Sequence, residues 1–181
     1  MGEILTESEY ITRLEGSYPD QGQEASVEVM ALVEQAVAAY PHNAKLWCIR
    51  GDLIQLSTVE AEYELDDALR SYQRAASVTP DWAEAYEEMG YFYDAVKADP
   101  AAAEDPFQKA IDLGAGVHSY YGLARALAEL NREEEALSLL APTHCPYSNE
   151  PEIVEIREEI KAGMWSDGKG VEPGGLWVAD H

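Results

Sequence analysis

The sequence predicts an all-α fold, an α-solenoid of antiparallel helix pairs, and three observations lead there. First, three segments align in phase: Trp47, Gly51 and Ile54; Tyr86, Gly90 and Tyr93; Tyr120, Ala124 and Leu127. In each, an aromatic is followed four residues on by Gly or Ala and three further by a large residue, which is the spacing of one helix face. Second, each segment is followed by another with small residues around a large one: Ala68, Tyr72 and Ala75; Ala103, Phe107 and Ala110; Ala136 and Leu140. Third, Pro41 and Pro80 each stand six residues before the aromatic that opens an aligned segment, Trp47 or Tyr86, and mark starts. The small residues let paired helices approach closely, and the aromatics fill the space between pairs. One pair cannot bury its apolar face alone, so several must stack.

Residues 1–40 read as a degenerate N-terminal helix pair that caps the array. Thr6 to Leu14 forms a short helix with Thr6 or Ser8 as N-cap, and the run from Gly16 to Asp20 breaks it. Glu24 to Tyr40 is a longer helix with Val29, Leu32, Val33, Ala36 and Val37 on one stripe. Residues 41–146 hold the three repeats. Residues 147–163 form a C-terminal capping helix from Asn149, its N-cap, to Ala162, with Ile153, Ile156 and Ile160 as the apolar stripe and Gly163 as the stop. Residues 164–181 are a Gly-rich tail that carries Trp165 and Trp177 and has no helical period. It either stays disordered or packs its tryptophans onto the helices.

The repeat pattern resembles the tetratricopeptide repeat family, whose signature is W-x2-L-G-x2-Y, then A-x3-F, then P. The resemblance covers about residues 41 to 146 and is fullest in the second repeat, at Tyr86, Met89, Gly90, Tyr93, Ala103, Phe107 and Ala110. It implies a right-handed superhelix. Several departures stand out. Arg50 occupies an apolar position of the first repeat. The stretch from Gly51 to Ala68 is about five residues longer than the repeat length allows, which predicts an extended turn or overlong helix end over 57–65. One residue is extra in the second repeat, at Ala102 or a neighbour. Gly114-Ala115-Gly116 replaces the usual linker with a tight turn.

Charge narrows the partners. Thirty-five Asp and Glu face 12 Lys and Arg, a formal net charge of −23. Such a surface repels nucleic acid and anionic membranes and favours basic partners, although a generally acidic surface gives the same composition. No apolar run is long enough to span a membrane. The N-terminus has neither the basic nor the apolar region of a signal peptide, and two cysteines, Cys48 and Cys145, make no disulfide framework. The expectation is a cytoplasmic protein with reduced thiols, monomeric.

No residue set forms a catalytic or metal constellation, so the expectation is a non-enzyme without a cofactor. His42, His118, His144 and His181 lack paired ligand spacing. His144 and Cys145 are neighbours in a proline-flanked loop, where two side chains rarely face each other as a nucleophile and its base must. The acidic pairs Asp66-Asp67 and Glu133–Glu135 sit at helix starts, where negative charge meets the positive end of the helix dipole.

Resemblance to the family implies that the first helices of successive repeats line a concave groove for a peptide. The matching positions are Cys48, Asp52, Gln55 and Leu56; Glu84, Glu87, Glu88, Tyr91 and Asp94; and His118, Tyr121, Arg125 and Glu129. The set is mainly acidic, with two tyrosines as anchors. Some family members clamp a chaperone's C-terminal carboxylate with Lys, Arg and Asn. Cys48, Asp52, Glu88, His118 and Gly122 stand at those positions here, so a carboxylate partner would meet like charge. The function this implies is a protein-interaction scaffold or adaptor for a basic peptide or protein segment. Two other classes fit parts of the sequence: a dedicated chaperone for a basic client, and a metal protein or enzyme using His118, His144 and Cys145.

Overall fold

The computed structural model describes residues 5–20, 23–57 and 63–165. They form nine α-helices and one π turn, with no strand among the described residues: α1 (Glu7–Glu15), α2 (Val27–Ala39), α3 (Ala44–Gln55), α4 (Leu65–Val78), α5 (Ala83–Tyr91), the π turn Phe92–Val96, α6 (Pro100–Asp112), α7 (Val117–Glu129), α8 (Glu133–Leu139) and α9 (Pro151–Lys161). The chain divides into two compact units after Ala85.

In the first unit, α1 starts where its chemistry dictates. Thr6 accepts from the Glu9 backbone N–H while the Glu9 side chain accepts from the Thr6 backbone, a reciprocal capping box. Ser26 and Asn43 cap α2 and α3 in the same sense, each with its side chain accepting from a backbone N–H three residues on. Along α2 the buried positions are Met30, Val33, Ala36 and Val37, one helical stripe. The pair α3–α4 closes tightly, with Tyr72 lying against Gly51. Arg50, out of pattern in the sequence, ties three helices together. Its Nε donates to Glu34 of α2 at 2.8 Å and its Nη1 to Ser71 of α4 at 2.6 Å, and its guanidinium lies 6.0 Å from the Trp47 ring and 5.7 Å from that of Tyr63. An apolar position thus holds a cation whose donors and π-faces are supplied. The long stretch after α3 ends the helix at Gln55, and α4 begins at Leu65; residues 58–62 lie outside those described.

In the second unit, the extra residue of the second repeat takes a definite form. It is absorbed by a π turn over Phe92–Val96, one residue wider than an α-turn, where Asp94 is buried. Ala98 then takes a positive φ of 51° and Asp99 caps α6 through the Ala102 N–H. Pro100 occupies the first position of α6, where a missing N–H costs nothing, whereas Pro106 sits within the helix. Gly114, at φ 89°, makes the turn to α7. The core joins Ala103 and Phe107 of α6, Leu123, Ala124 and Leu127 of α7, Ala136 of α8 and the three isoleucines of α9. The capping helix starts one residue later than Asn149 suggests: Glu150 is the N-cap because Pro151 takes the first helical position. Trp165, only 6% exposed, joins this core and donates from Nε1 to Glu159 at 3.2 Å. Trp177 and the rest of the tail lie outside the described residues.

Candidate functional site

The positions expected to line the groove fall in both units. In the first, Asp52 and Gln55 meet through Tyr72. Asp52 accepts from the hydroxyl of Tyr72 at 2.7 Å and from that of Tyr18 at 2.8 Å, and Gln55 Nε2 donates to the Tyr72 oxygen at 2.5 Å. Tyr18 comes from the segment after α1, so this segment reaches the α3 positions read as groove. Cys48 is buried, Leu56 is half-buried with its carbonyl accepting from the Ala25 N–H at 2.8 Å, and Glu84 is half-buried on α5.

The second unit gathers more of the set. His118, Tyr121, Arg125 and Glu129 recur along one face of α7. Opposite them stand Glu87, Glu88 and Tyr91 of α5 and Asp94 of the π turn. Tyr91 donates its hydroxyl to the His118 carbonyl at 2.8 Å and sets its ring edge-on to Phe107, 5.0 Å between centroids. The Ser119 hydroxyl donates to Glu87. Arg125 pairs through Nη2 with Asp94, and its Nε lies 3.8 Å from Glu129 Oε1. Asp94 and Arg125 are 5% and 7% exposed, so this ion pair is buried and not a surface contact.

Electrostatics describe the same cluster. Burial pushes the Tyr91 phenol well above its ordinary range, the carboxylates of Glu87 and Glu88 add to the rise, and Arg125 opposes it. Burial raises Tyr121 too, reinforced by Glu159, Glu155 and Glu152 of α9. The Arg125 guanidinium is pushed down by burial and held up by Glu129 and Tyr91; Glu129 is pushed up by burial against the pull of Arg125.

Four contributors lie outside the set that the sequence predicts: Ser119 and the α9 carboxylates Glu152, Glu155 and Glu159. The three acids recur at three and four residues beside the isoleucine stripe, a signal that places them on one face; that this face neighbours Tyr121 is a tertiary fact. Gly122, aligned with a groove position, lies against Phe107 instead. The His144–Cys145 pair offers no activated thiol. His144 is exposed with Nδ1 3.0 Å from the Ser138 carbonyl, while Cys145 is buried and its thiol pushed up by that burial. Among the described residues no group of three or more His, Cys, Asp or Glu is placed to hold a metal ion, and no helix is long and apolar enough to cross a membrane.

No protein-family model matches the sequence, and no curated protein matches it. Solved structures do. The chain is similar to PilW, a widely conserved type IV pilus biogenesis factor, with a TM-score of 0.65 at 20% identity over 86% of this chain and 68% of that one. It is also similar to TTC0263, a thermophilic TPR protein of Thermus thermophilus, with a TM-score of 0.57 at 19% identity over 75% of this chain and 71% of that one. The fold is therefore tetratricopeptide-like, the α-solenoid class that the repeat spacing predicts.

Proposed function

We propose that this chain is a protein-interaction scaffold that binds a basic, extended segment of a partner, and that the second unit carries the principal contact surface. The observation behind this is the grouping of Glu87, Glu88 and Glu129 with Glu152, Glu155 and Glu159 around two half-buried tyrosines, Tyr91 and Tyr121. Arg125 is shared between Asp94 and Glu129, and the carboxylates named here outnumber it. A Lys- or Arg-bearing segment supplies the missing positive charge, and the tyrosine rings give its aliphatic stems apolar surface. The tetratricopeptide-like fold supports the scaffold part of the reading, because stacked helix pairs present long surfaces and no fixed chemistry.

The test is fluorescence anisotropy with a labelled lysine-rich peptide against a glutamate-rich one of equal length. The lysine peptide should bind, weaken steeply as salt rises, and lose roughly tenfold or more in affinity in Glu88→Lys/Glu155→Lys. Binding that ignores both salt and the substitutions would sink the reading. The net charge of −23 favours a second reading, a chaperone for a basic client. It predicts that the protein suppresses aggregation of a full-length basic protein while binding short lysine peptides no better than neutral ones.

A further inference from the structure

The second unit carries an acidic cleft away from the groove. It has a volume of about 290 Å³ and opens between α6, α7 and α8. Its apolar part is Leu123 and Leu127 of α7 with Leu139 of α8. Leu123 and Leu127 stand two residues beyond Tyr121 and Arg125, more than half a turn around the helix. The cleft therefore lies on the side of α7 that faces away from the cluster of α5, α7 and α9. Ligand pockets run about 300–1,000 Å³, so this one is sized for a single side chain.

The rim of the cleft is charged. Glu104 and Asp105 of α6 and Glu135 of α8 line it together with Arg132, which precedes α8. Arg132 links the two walls: its Nη1 donates to Glu104 Oε2, while its Nε and Nη2 donate to the two oxygens of Glu135 at 2.7 and 2.8 Å. The chain's own guanidinium thus shows what kind of group this rim accepts. It does not use the rim up. Three carboxylates against one guanidinium leave the rim negative, and Asp105, exposed on α6, has no hydrogen bond or ion pair from its side chain among the described residues. An apolar occupant would cover the leucines but take water from a carboxylate left unpaired, and an acidic occupant would meet like charge. A long cationic side chain satisfies both parts, its stem covering leucine and its head reaching Asp105.

We propose that this cleft receives one lysine or arginine side chain of a protein partner, with the aliphatic stem on Leu123, Leu127 and Leu139 and the cationic head at Asp105. The contact is separate from the acidic groove and does not depend on it. One cationic residue seated here fixes where a partner sits on the second unit, which net charge alone does not.

The test follows the leucine methyl resonances of the full chain, carbon-13 labelled, with those of the cleft assigned by their loss in Leu123→Met, Leu127→Met and Leu139→Met. The probes are capped Gly/Ser peptides with one central Lys, Arg, Leu, Gln or Glu. The Lys and Arg peptides should shift the three leucines saturably, the Leu peptide should do so more weakly, and the Gln and Glu peptides should not. Asp105→Asn should weaken the Lys peptide roughly two- to fivefold, the worth of one solvent-exposed ion pair. Glu134→Gln, at an exposed carboxylate of α8 that does not line the cleft, should change nothing. Equal binding of the Leu and Lys peptides would overturn the cationic assignment. Equal weakening by Asp105→Asn and Glu134→Gln would reduce the effect to overall charge and overturn the site. Leucines unmoved by every peptide overturn it as well, even where butylammonium moves them, because the cleft then takes a free amine and not a partner's side chain.

Discussion

Gly90 and Phe107 share one volume: a Cβ on Gly90 would stand 2.6 Å from the Phe107 ring. The same ring faces Gly122 of the following helix and Tyr72 stands over Gly51, and a Cβ at either glycine would meet its ring more closely still. Phe107 and Tyr72 are fully buried, so neither ring has room to retreat. Alanine at Gly51, Gly90 or Gly122 should therefore destabilise. Overpacking costs about 1–3 kcal/mol, while the better helix propensity of Ala returns about 1 kcal/mol, so the net loss should be up to about 2 kcal/mol, towards the upper end because both rings are fully buried. Gly116 is the control: nothing lies within 4 Å of its added Cβ, and its φ of −77° suits any residue. Urea unfolding of the four variants should separate Gly116→Ala, within about 0.5 kcal/mol of the parent, from the other three.

These close approaches explain why the fold was legible in the sequence. A small residue followed by a large ring is a pattern that the sequence shows twice, in Gly51 with Tyr72 and in Gly90 with Phe107. The surplus residue of the second repeat was legible as a count, but its place was not: the sequence puts it at Ala102 or a neighbour, whereas the π turn lies at Phe92–Val96. An insertion becomes a loop or a π turn according to what its residues can bury, and Phe92 and Asp94 find partners only in the folded unit. The site was legible in part for the same reason. The α7 face could be read from its period, yet Arg125 and Asp94 looked like solvent-facing groove residues until their pairing removed both from water. The α9 carboxylates show a helical period in the sequence, but nothing local says that they neighbour Tyr121.

The Asp94–Arg125 pair gives a second prediction. Removing one member of a buried pair leaves the other charge uncompensated, which costs about 3–5 kcal/mol. Asp94→Leu and Arg125→Met should each show a loss of that order in urea unfolding. The double variant replaces both charges by apolar groups and should lose far less than the two singles combined. The measurement is the double-mutant cycle. Additive losses would mean that the two side chains do not depend on each other in the folded state.

Arg50 gives a third. Its guanidinium meets Glu34, Ser71, Trp47 and Tyr63, three of them on elements other than its own helix. Arg50→Ala should lose about 1–3 kcal/mol, since it removes charge-assisted hydrogen bonds together with the buried aliphatic stem. Arg50→Met keeps the stem and supplies the apolar character that the repeat pattern asks for at this position. It should recover part of that loss, visible as a higher thermal midpoint than Arg50→Ala. Equal midpoints for the two would assign the whole effect to the polar contacts.

Three tyrosines of the second unit predict how the protein responds to alkali. Tyr91, Tyr120 and Tyr121 all have phenols raised above the ordinary value of 10.0, burial being the first cause in each. In the unfolded chain these phenols ionise at about pH 10. Between that pH and their raised folded values, the folded state holds more protons than the unfolded one, so stability falls as pH rises. Below about pH 10 both states are protonated and the contribution is complete. The urea midpoint should therefore fall as pH rises above about 10, with these three tyrosines contributing no slope below it. Tyrosinate absorbance should show a late group that ionises only together with the loss of helical circular dichroism. Tyr91→Phe should remove one tyrosine from that late group and lessen the alkaline slope, because a phenylalanine at the Phe107 contact has no proton to lose. A smooth titration of every tyrosine with the helices intact would contradict the packing of Tyr91 against Phe107 and its hydrogen bond to the His118 carbonyl.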